Sequence, residues 1–282
     1  MKKFAVIGNP IKHSLSPALH NWVFKSLGID AEYEKKRIFQ NELAGTIRDL
    51  DCGKLHGINI TIPHKENIMQ HLHEINPRAK SIGAVNVIMK SGNKLVGNNT
   101  DWYGFTMALK KNGVDPSGKE VIVLGAGGAA RSIIFSLKQS GIKKIVLLNR
   151  TLQKAEKLQD KIVFPSSLED SVMVIKNDSV IINTTSVGMQ SSQSPLDLGL
   201  LHENQILIDV IYTPLETCLL KFGKKIGSRT LNGLDMFIYQ ALASLDFWFG
   251  ETISKKVNFQ QLKEHLTRIL SQKNSQETHE RH

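Results

Sequence analysis

A glycine-rich loop near the middle of the chain has the residue types and spacing of a phosphate-binding turn. It reads Gly125-Ala126-Gly127-Gly128-Ala129-Ala130 and follows an apolar run at residues 120–124. In such a loop, Gly125 permits a tight turn, Gly127 lets the main chain approach a pyrophosphate, and Ala130 keeps the next helix close to the strand. Because the start of that helix offers free N–H groups, the pattern predicts a dinucleotide site rather than a turn that serves packing alone.

The residues after the next predicted strand indicate which dinucleotide the loop binds. An NAD site normally carries Asp or Glu about 20 residues after the loop, where the carboxylate accepts the ribose hydroxyls. This chain has Asn149-Arg150-Thr151 there, so no carboxylate repels a 2′-phosphate. Arg150 can pair with that phosphate and stack on adenine, Thr151 can donate a hydroxyl, and Lys154 lies one helical turn further on. The set favours NADP over NAD, whereas Arg150 alone also fits an ordinary surface arginine.

A second set of polar side chains lies in the first hundred or so positions, and its members are Ser14, Ser16, Asn59, Thr61, Lys65, Asn86 and Asp101. Serine hydroxyls suit a carboxylate, and the other side chains suit ring hydroxyls. An ammonium beside a carboxylate, as at Lys65 and Asp101, can pass a proton to a carbonyl oxygen while hydride reaches the carbon. Singly, each has a structural alternative, such as Ser16 or Asp101 as a helix cap. Together they predict a site for a small polyol.

Strands and helices alternate through this first region. Strands are predicted at residues 4–8, 31–38 and 57–62, with helices at residues 16–28, at 41–50 and from about 64. Residues 85–89 and 94–96 flank Ser91-Gly92-Asn93, which predicts a hairpin. Gly28 is the predicted residue after the first helix, and Ser16 followed by Pro17 is its predicted start. The pattern is typical of an α/β domain with a mixed sheet.

The glycine-rich loop opens a more regular series of βα units. Strands are predicted at residues 120–124, 144–148, 179–183 and 205–210, with helices at 129–140 and from 152. This order is typical of a Rossmann-like, doubly wound sheet. Two later helices, at residues 234–249 and 259–270, are assigned to the first domain, which needs helical cover. The predicted division is a substrate domain of residues 1–101 with 235–282 and an NADP-binding domain of residues 102–234.

Composition narrows the class of protein. With 282 residues, 41% hydrophobic and 22% charged, the chain is expected to fold as two globular domains. No apolar run reaches the roughly 20 residues of a membrane span, and the N-terminal run predicts a strand rather than a signal peptide. The polar stretch from residue 271 lacks apolar periodicity and is expected to be frayed or disordered. Two distant cysteines, Cys52 and Cys218, show no metal or redox spacing. One disulfide is the alternative, and the prediction is two free thiols in a reducing cytoplasm.

The net charge of +10 is dispersed along the chain. The sequence shows neither the zinc-finger spacing nor the basic-aromatic pattern of nucleic-acid binders. We therefore expect small anionic ligands, with no nucleic acid, membrane or metal as partner.

The chain resembles the shikimate dehydrogenase family, which includes quinate-accepting members, in blocks that follow one another from residue 4 to about 250. The matching blocks are Gly8-Asn9-Pro10 with Lys12-His13-Ser14 and Ser16-Pro17, Asn59 to Lys65, Gly83-Ala84-Val85-Asn86, Gly97 to Asp101, the glycine-rich loop, Asn149-Arg150-Thr151, Asn183 to Met189, Asp209 to Pro214 with Thr217, and Gly233-Leu234-Asp235-Met236 with Gln240. The resemblance implies reversible, NADP-dependent reduction of 3-dehydroshikimate to shikimate, in the route to aromatic amino acids.

The resemblance also implies roles for individual residues. It implies that the substrate is bound by Ser14, Ser16, Asn59, Thr61, Lys65, Asn86, Asp101, Tyr212 and Gln240. Lys65 and Asp101 are the implied catalytic pair. It assigns the pyrophosphate to Gly127, Gly128 and Ala129, the 2′-phosphate end to Asn149, Arg150 and Thr151, and the nicotinamide surroundings to Thr185, Met189 and Gly233. Two positions depart from many relatives, which have Ser in place of Ala130 and Arg in place of Lys154.

Three other interpretations stay open at this stage. They are a quinate-accepting relative, another two-domain NADP enzyme such as a methylenetetrahydrofolate dehydrogenase, and a catalytically silent sensing module. A methylenetetrahydrofolate dehydrogenase would not explain Ser14, Ser16 and the Lys65–Asp101 pair together. A sensing module would not need the catalytic Lys65–Asp101 pair. The expected assembly is a monomer or a homodimer.

Overall fold

A computed structural model describes residues 1–279, with the backbone alone for 273–279, and it separates into two compact units. The first unit comprises Met1–Gly104 and the chain from Ile238 onward, and the second comprises Phe105–Phe237. Both units are α/β, which confirms the predicted class. Within the described residues, no helix combines the length and apolar character needed to cross a bilayer.

The first unit contains a mixed six-stranded sheet. Its strands are β1 Lys2–Gly8, β2 Ala31–Arg37, β3 Gly57–Ile60, β4 Glu74–Ile75, β5 Val87–Ser91 and β6 Lys94–Asn98, in the order β2-β1-β3-β5-β6-β4. Strand β1 runs parallel to β2 and β3, whereas β5 is antiparallel to both neighbours. The predicted hairpin is confirmed, because β5 and β6 pair up to Ser91 opposite Lys94 around Gly92, whose φ is +57°.

Helices cover both faces of this sheet. They are α1 Ser16–Leu27, α2 Leu43–Asp51, α3 Pro77–Ile82, α4 Asp101–Lys111, α9 Leu234–Phe249 and α10 Phe259–His279. Helix α4 begins in this unit, and helix α9 ends in it. An aromatic cluster packs α9 against the sheet, with Trp248 4.7 Å from Phe4 between ring centres. The Trp248 indole also donates to the Ile88 carbonyl at 3.0 Å. A Cβ at Gly57 would lie 2.4 Å from that indole nitrogen, so the close approach of helix and strand requires glycine there.

The second unit contains an all-parallel six-stranded sheet. Its strands are β7 Glu120–Leu124, β8 Lys144–Asn149, β9 Val163–Ser167, β10 Val180–Asn183, β11 Ile206–Asp209 and β12 Arg229–Leu231, in the order β12-β11-β10-β7-β8-β9. This is the doubly wound order, in which the direction of winding reverses between β7 and β10. Its remaining helices are α5 Gly128–Gln139, α6 Leu152–Glu156, α7 Ser171–Val174 and α8 Cys218–Lys225.

Alternating side chains of β7 fill both faces of this sheet. Val121 and Val123 enter one buried apolar cluster, and Ile122 and Leu124 enter another on the opposite face. A strand that is apolar on both faces is typical of a parallel sheet covered by helices. The core therefore fixes the end of β7, from which the glycine-rich loop departs.

Several predicted boundaries are wrong. The strand predicted at 57–62 ends at Ile60, because the His64 N–H donates to the Thr61 carbonyl at 3.0 Å and closes a turn around Pro63, which has no N–H to offer the sheet. The helix predicted from residue 64 is a short 3₁₀ helix, Asn67–His71. Ser16 is the first residue of α1 rather than its cap, which is Leu15.

The polar C-terminal stretch is also helical where the structure describes it. Helix α10 continues to His279, nine residues beyond its predicted end at 270. The stretch is rich in Gln, Lys and Glu, which are good helix formers, so an existing helix can extend through it. The remainder of the stretch, residues 280–282, lies outside the described residues.

Candidate functional site

The central pair of the first unit is an ion pair between Lys65 and Asp101. The Lys65 Nζ lies 2.6 Å from the Asp101 Oδ2, with side chains 15% and 7% exposed. Asp101 is the first residue of α4, where the positive end of the helix dipole stabilises a carboxylate. Its main-chain N–H donates to the Asn99 side-chain oxygen at 3.0 Å. The predicted ion pair is therefore formed. Asp101 is held at two points, its main-chain N–H and its carboxylate.

Two predicted amide residues join this pair. Asn86 donates from its Nδ2 to the Asp101 Oδ1 at 2.8 Å, and the same nitrogen lies 3.4 Å from the Gln240 Oε1. Asn59 donates to the Asn86 carbonyl at 3.1 Å. Strand β3, the segment before β5, helix α4 and helix α9 thus bring four predicted substrate residues and Lys65 into one polar cluster.

The two predicted serines form a local pair where the loop after β1 meets the first residue of α1. The Ser14 hydroxyl donates to the Ser16 hydroxyl oxygen at 3.2 Å, and the Ser16 N–H approaches the Ser14 oxygen at 3.3 Å. Thr61 lies directly after β3, where its N–H still donates to the Ile7 carbonyl at 2.9 Å. These hydroxyls lie at the carboxyl ends of β1 and β3, the edge at which α/β sheets bind ligands.

The glycine-rich loop of the second unit leaves β7 beside the reversal point of the sheet. Gly125 has a φ of +101°, and a Cβ there would lie 2.9 Å from the Thr184 Oγ1. Gly127 precedes α5, and a Cβ there would meet no other atom within 4 Å. Neither a side-chain cap nor an acidic residue occupies the first turn of α5. The N–H groups at this helix start therefore have the open, uncapped surroundings that a pyrophosphate needs.

The candidate 2′-phosphate residues surround the end of β8. Asn149 is the last residue of that strand and donates to the Thr151 carbonyl at 2.7 Å, which closes the turn. Arg150, Thr151 and Lys154 are all exposed, and Thr151 directly precedes α6, but its side chain accepts no capping hydrogen bond. Two cationic side chains and a hydroxyl at one strand end fit the chemistry of a phosphate monoester.

The remaining predicted residues of this unit occupy the ends of β10, β11 and β12. Thr185 donates to the Asn183 Oδ1 at 2.7 Å, and Met189 is 37% exposed. The Gly233 α-carbon lies so close to the chain that a Cβ would be 2.0 Å from the Val210 carbonyl oxygen. Tyr212 stacks on Phe237 with ring centres 4.3 Å apart. The structure therefore places Tyr212 in the second unit, whereas the other eight predicted substrate residues belong to the first.

Sequence reasoning assigned no role to several residues that support these sites. In the first unit they are Tyr33, Asn99, Thr100 and Ser244, and in the second they are Asn183, Asp209 and Thr217. Ser244 follows Gln240 by one helical turn, which is the only sequence signal that relates it to a predicted site residue. Within the described residues, no three His, Cys, Asp or Glu side chains cluster as metal ligands.

The two units and their sites define an α/β protein of the dinucleotide-binding class. The family model described as the shikimate dehydrogenase substrate binding domain matches residues 6–88. The model described as shikimate / quinate 5-dehydrogenase matches residues 106–195. The chain is 40% identical over 275 residues to shikimate dehydrogenase (NADP(+)) of Bacillus cereus strain AH187, which covers 95% of this chain and 98% of the relative.

Solved structures agree with this result. Shikimate dehydrogenase 1 from Peptoclostridium difficile superposes with a TM-score of 0.86 at 33% identity, covering 96% of this chain and 98% of its own. Shikimate 5-dehydrogenase from Thermus thermophilus, in complex with NADP(H) and shikimate, superposes with a TM-score of 0.83 at 34% identity, covering 95% and 99%. The chain belongs to the shikimate dehydrogenase family.

Proposed function

We propose that the chain is an NADP-dependent shikimate dehydrogenase, which reversibly reduces 3-dehydroshikimate to shikimate in the biosynthesis of aromatic amino acids. The observation that carries the proposal is the largely buried Lys65–Asp101 ion pair, set in a cluster of hydroxyl and amide side chains within a chain of this family. The relatives that match over almost their whole length carry the name shikimate dehydrogenase (NADP(+)). Substrate binding is assigned to the first unit and NADP binding to the second.

The residues of the second unit fit NADP. The open surroundings of Gly127 and the uncapped start of α5 suit the pyrophosphate. Arg150, Thr151 and Lys154 would hold the 2′-phosphate, and Thr185, Met189 and Gly233 would border the nicotinamide. When bound, this cofactor supplies or accepts the hydride.

In the proposed mechanism, Lys65 is the proton donor for the carbonyl oxygen of 3-dehydroshikimate. An ammonium group carries three donors, so a lysine that uses one on Asp101 retains donors for a ligand oxygen. Asp101 orients the lysine and balances its charge at 2.6 Å. The Ser14 and Ser16 hydroxyls bind the substrate carboxylate, while Thr61, Asn86 and Gln240 bind or border its hydroxyls. Oxidation of shikimate releases a proton, so alkaline pH favours it.

Steady-state rates on shikimate and quinate, each with NADP and with NAD, test the proposal. We expect shikimate with NADP to give the highest kcat/KM. A preference for quinate would favour the quinate-accepting branch of the family. Absence of turnover with all four combinations, from a protein that is folded by circular dichroism, would favour a sensing role and overturn the proposal.

We also propose that the enzyme acts in the cytoplasm as a monomer or homodimer, without nucleic acid or membrane partners. The support for the compartment is that Cys52 and Cys218 are both free thiols, as expected under reducing conditions. Light scattering on the purified protein distinguishes the two assemblies.

A further inference from the structure

A ring of buried polar side chains lies behind the Lys65–Asp101 pair, wholly within the first unit. Its members come from β2, β3, the segments before β5 and α4, and helix α9, and they are Tyr33, Asn59, Asn86, Thr100 and Ser244. None is more than 7% exposed. Buried polar groups are costly unless each finds a partner, so a ring of this kind is informative about what it holds in place.

The direction of the hydrogen bonds in the ring follows from Ser244. Its hydroxyl donates to the main-chain carbonyl of Gln240 at 2.9 Å, and a serine hydroxyl has one hydrogen to donate. The Thr100 hydroxyl has two possible acceptors, the Ser244 oxygen at 3.1 Å and the Asn86 Oδ1 at 3.3 Å, and we assign its hydrogen to the shorter contact because Ser244 has no second hydrogen to give. Thr100 in turn accepts from the Asn86 Nδ2 at 3.0 Å. The chain of donors runs from Asn86 through Thr100 and Ser244 to the backbone of α9.

The Asn86 amide links this chain to the ion pair. Its Nδ2 carries two hydrogens, and its two nearest acceptors are the Asp101 Oδ1 at 2.8 Å and the Thr100 hydroxyl at 3.0 Å, with the Gln240 Oε1 farther away at 3.4 Å. The Asn86 Oδ1 accepts from the Thr100 main-chain N–H at 2.7 Å. These three bonds fix the plane of the amide. The orientation of the Asp101 carboxylate therefore depends on the Thr100 hydroxyl, although Thr100 is not one of the predicted substrate ligands.

Asn59 closes the ring from the other side. Its Nδ2 donates to the Ser244 hydroxyl at 3.0 Å and to the Asn86 carbonyl at 3.1 Å. Its Oδ1 accepts from the Tyr33 hydroxyl at 2.8 Å. Both amide hydrogens are thus used within the protein, so Asn59 supports its neighbours rather than donating to a ligand.

We propose that Thr100 and Ser244, supported by Asn59 and Tyr33, are positioning residues that set the orientation of Asn86 and Asp101 for proton transfer. The inference rests on the proposed function. Removal of the Thr100 hydroxyl takes away the 3.0 Å acceptor of one buried Asn86 amide hydrogen and one of the two donors to the Ser244 oxygen, so the amide reorients and its hold on Asp101 weakens. Because every member lies in the first unit, NADP binding is unaffected.

The test compares Thr100→Val with Thr100→Ser in steady-state oxidation of shikimate by NADP. Valine keeps the shape of threonine without its hydroxyl, and serine keeps the hydroxyl without the methyl group. We expect Thr100→Val to lower kcat about tenfold or more, because it lacks the orienting hydroxyl, and Thr100→Ser to retain most of the wild-type kcat. KM for NADP stays within about twofold in both variants. Ser244→Ala breaks the same chain at its far end and is expected to behave like Thr100→Val.

Thermal melts accompany the kinetics, and Ser244→Ala carries the test if Thr100→Val does not fold. Equal kcat in Thr100→Val and Thr100→Ser would overturn the inference, and so would a parallel rise in KM for NADP, which indicates a general structural defect. A wild-type protein without activity on shikimate would overturn the proposed function and this inference together. An active wild type with unaffected variants would overturn the inference alone.

Discussion

The Lys65 ammonium is held 2.6 Å from the Asp101 carboxylate in largely buried surroundings. We predict that Lys65→Ala lowers kcat by about a hundredfold or more, since general acid catalysis contributes about 10²–10⁴-fold, with a smaller effect on KM for shikimate. Lys54→Ala is the control, because Lys54 forms a surface ion pair with Asp49 and its side chain is 74% exposed. Near-normal kcat in Lys65→Ala would refute the assignment.

The exposed cations at the end of β8 are the residues that we propose to select NADP over NAD. We predict that Arg150→Ala raises KM for NADP by about tenfold or more, the effect of one lost charge-assisted hydrogen bond, and leaves KM for NAD nearly unchanged. Lys154→Arg restores a planar fork and is expected to lower KM for NADP modestly. Equal losses with both cofactors in Arg150→Ala would show that the arginine does not read the 2′-phosphate.

At the scale of elements, two glycines of one loop have different tasks. Gly127 has a φ of −91° and space for a methyl group, so Gly127→Ala is expected to fold normally and to weaken NADP binding by intruding on the pyrophosphate. Gly125 has a φ of +101° and no such space, so Gly125→Ala is expected to lower the melting temperature. Thermal melts and NADP titration of both variants check this contrast. Unchanged NADP affinity in a folded Gly127→Ala protein would contradict it.

The ends of β10 and β11 are joined through a buried carboxylate, that of Asp209. It accepts from Asn183, Thr217 and the Ile211 N–H at 2.8–3.1 Å. Burial raises the pKa of Asp209 from 3.8 to about 6, although these hydrogen bonds oppose the rise. Since the folded pKa lies above the unfolded one, the stabilising contribution is complete below about pH 4 and is lost as pH rises through about 6.

The prediction for this element is a pH-dependent difference in the free energy of unfolding. Between about pH 4 and pH 7.5, wild type should lose roughly 2–3 kcal/mol relative to Asp209→Asn, which does not titrate at this position. Urea unfolding of both proteins at several pH values measures the difference. A constant difference across this range would contradict the raised pKa.

The elements also show how far the sequence alone is informative. Strand β7, the loop and α5 were predictable because an apolar run, glycines and a helical pattern stand next to one another. Strands β9 and β12 were not predicted, because β9 contains Pro165, which disfavours a strand, and β12 has only three residues, too few to show a pattern. The ring behind Asp101 was not predictable, because Asn59 and Ser244 lie 185 positions apart and meet only through the packing of α9 on the sheet.

At the scale of the whole molecule, fold and function are separate conclusions. A doubly wound unit supports many reactions, so the fold alone does not select one. The choice rests on family membership over both units together with the Lys65–Asp101 pair. A net charge of +10 is consistent with two anionic ligands, a carboxylate and a dinucleotide phosphate.

Isotope transfer tests the central claim most directly. Shikimate carrying deuterium on the carbon whose hydroxyl is oxidised is incubated with the protein and NADP, and the reduced cofactor is analysed by mass spectrometry. Direct hydride transfer predicts that the NADPH formed carries the deuterium, in step with the shikimate consumed. Deuterium found in the solvent, or shikimate left unchanged by folded protein, would contradict the account.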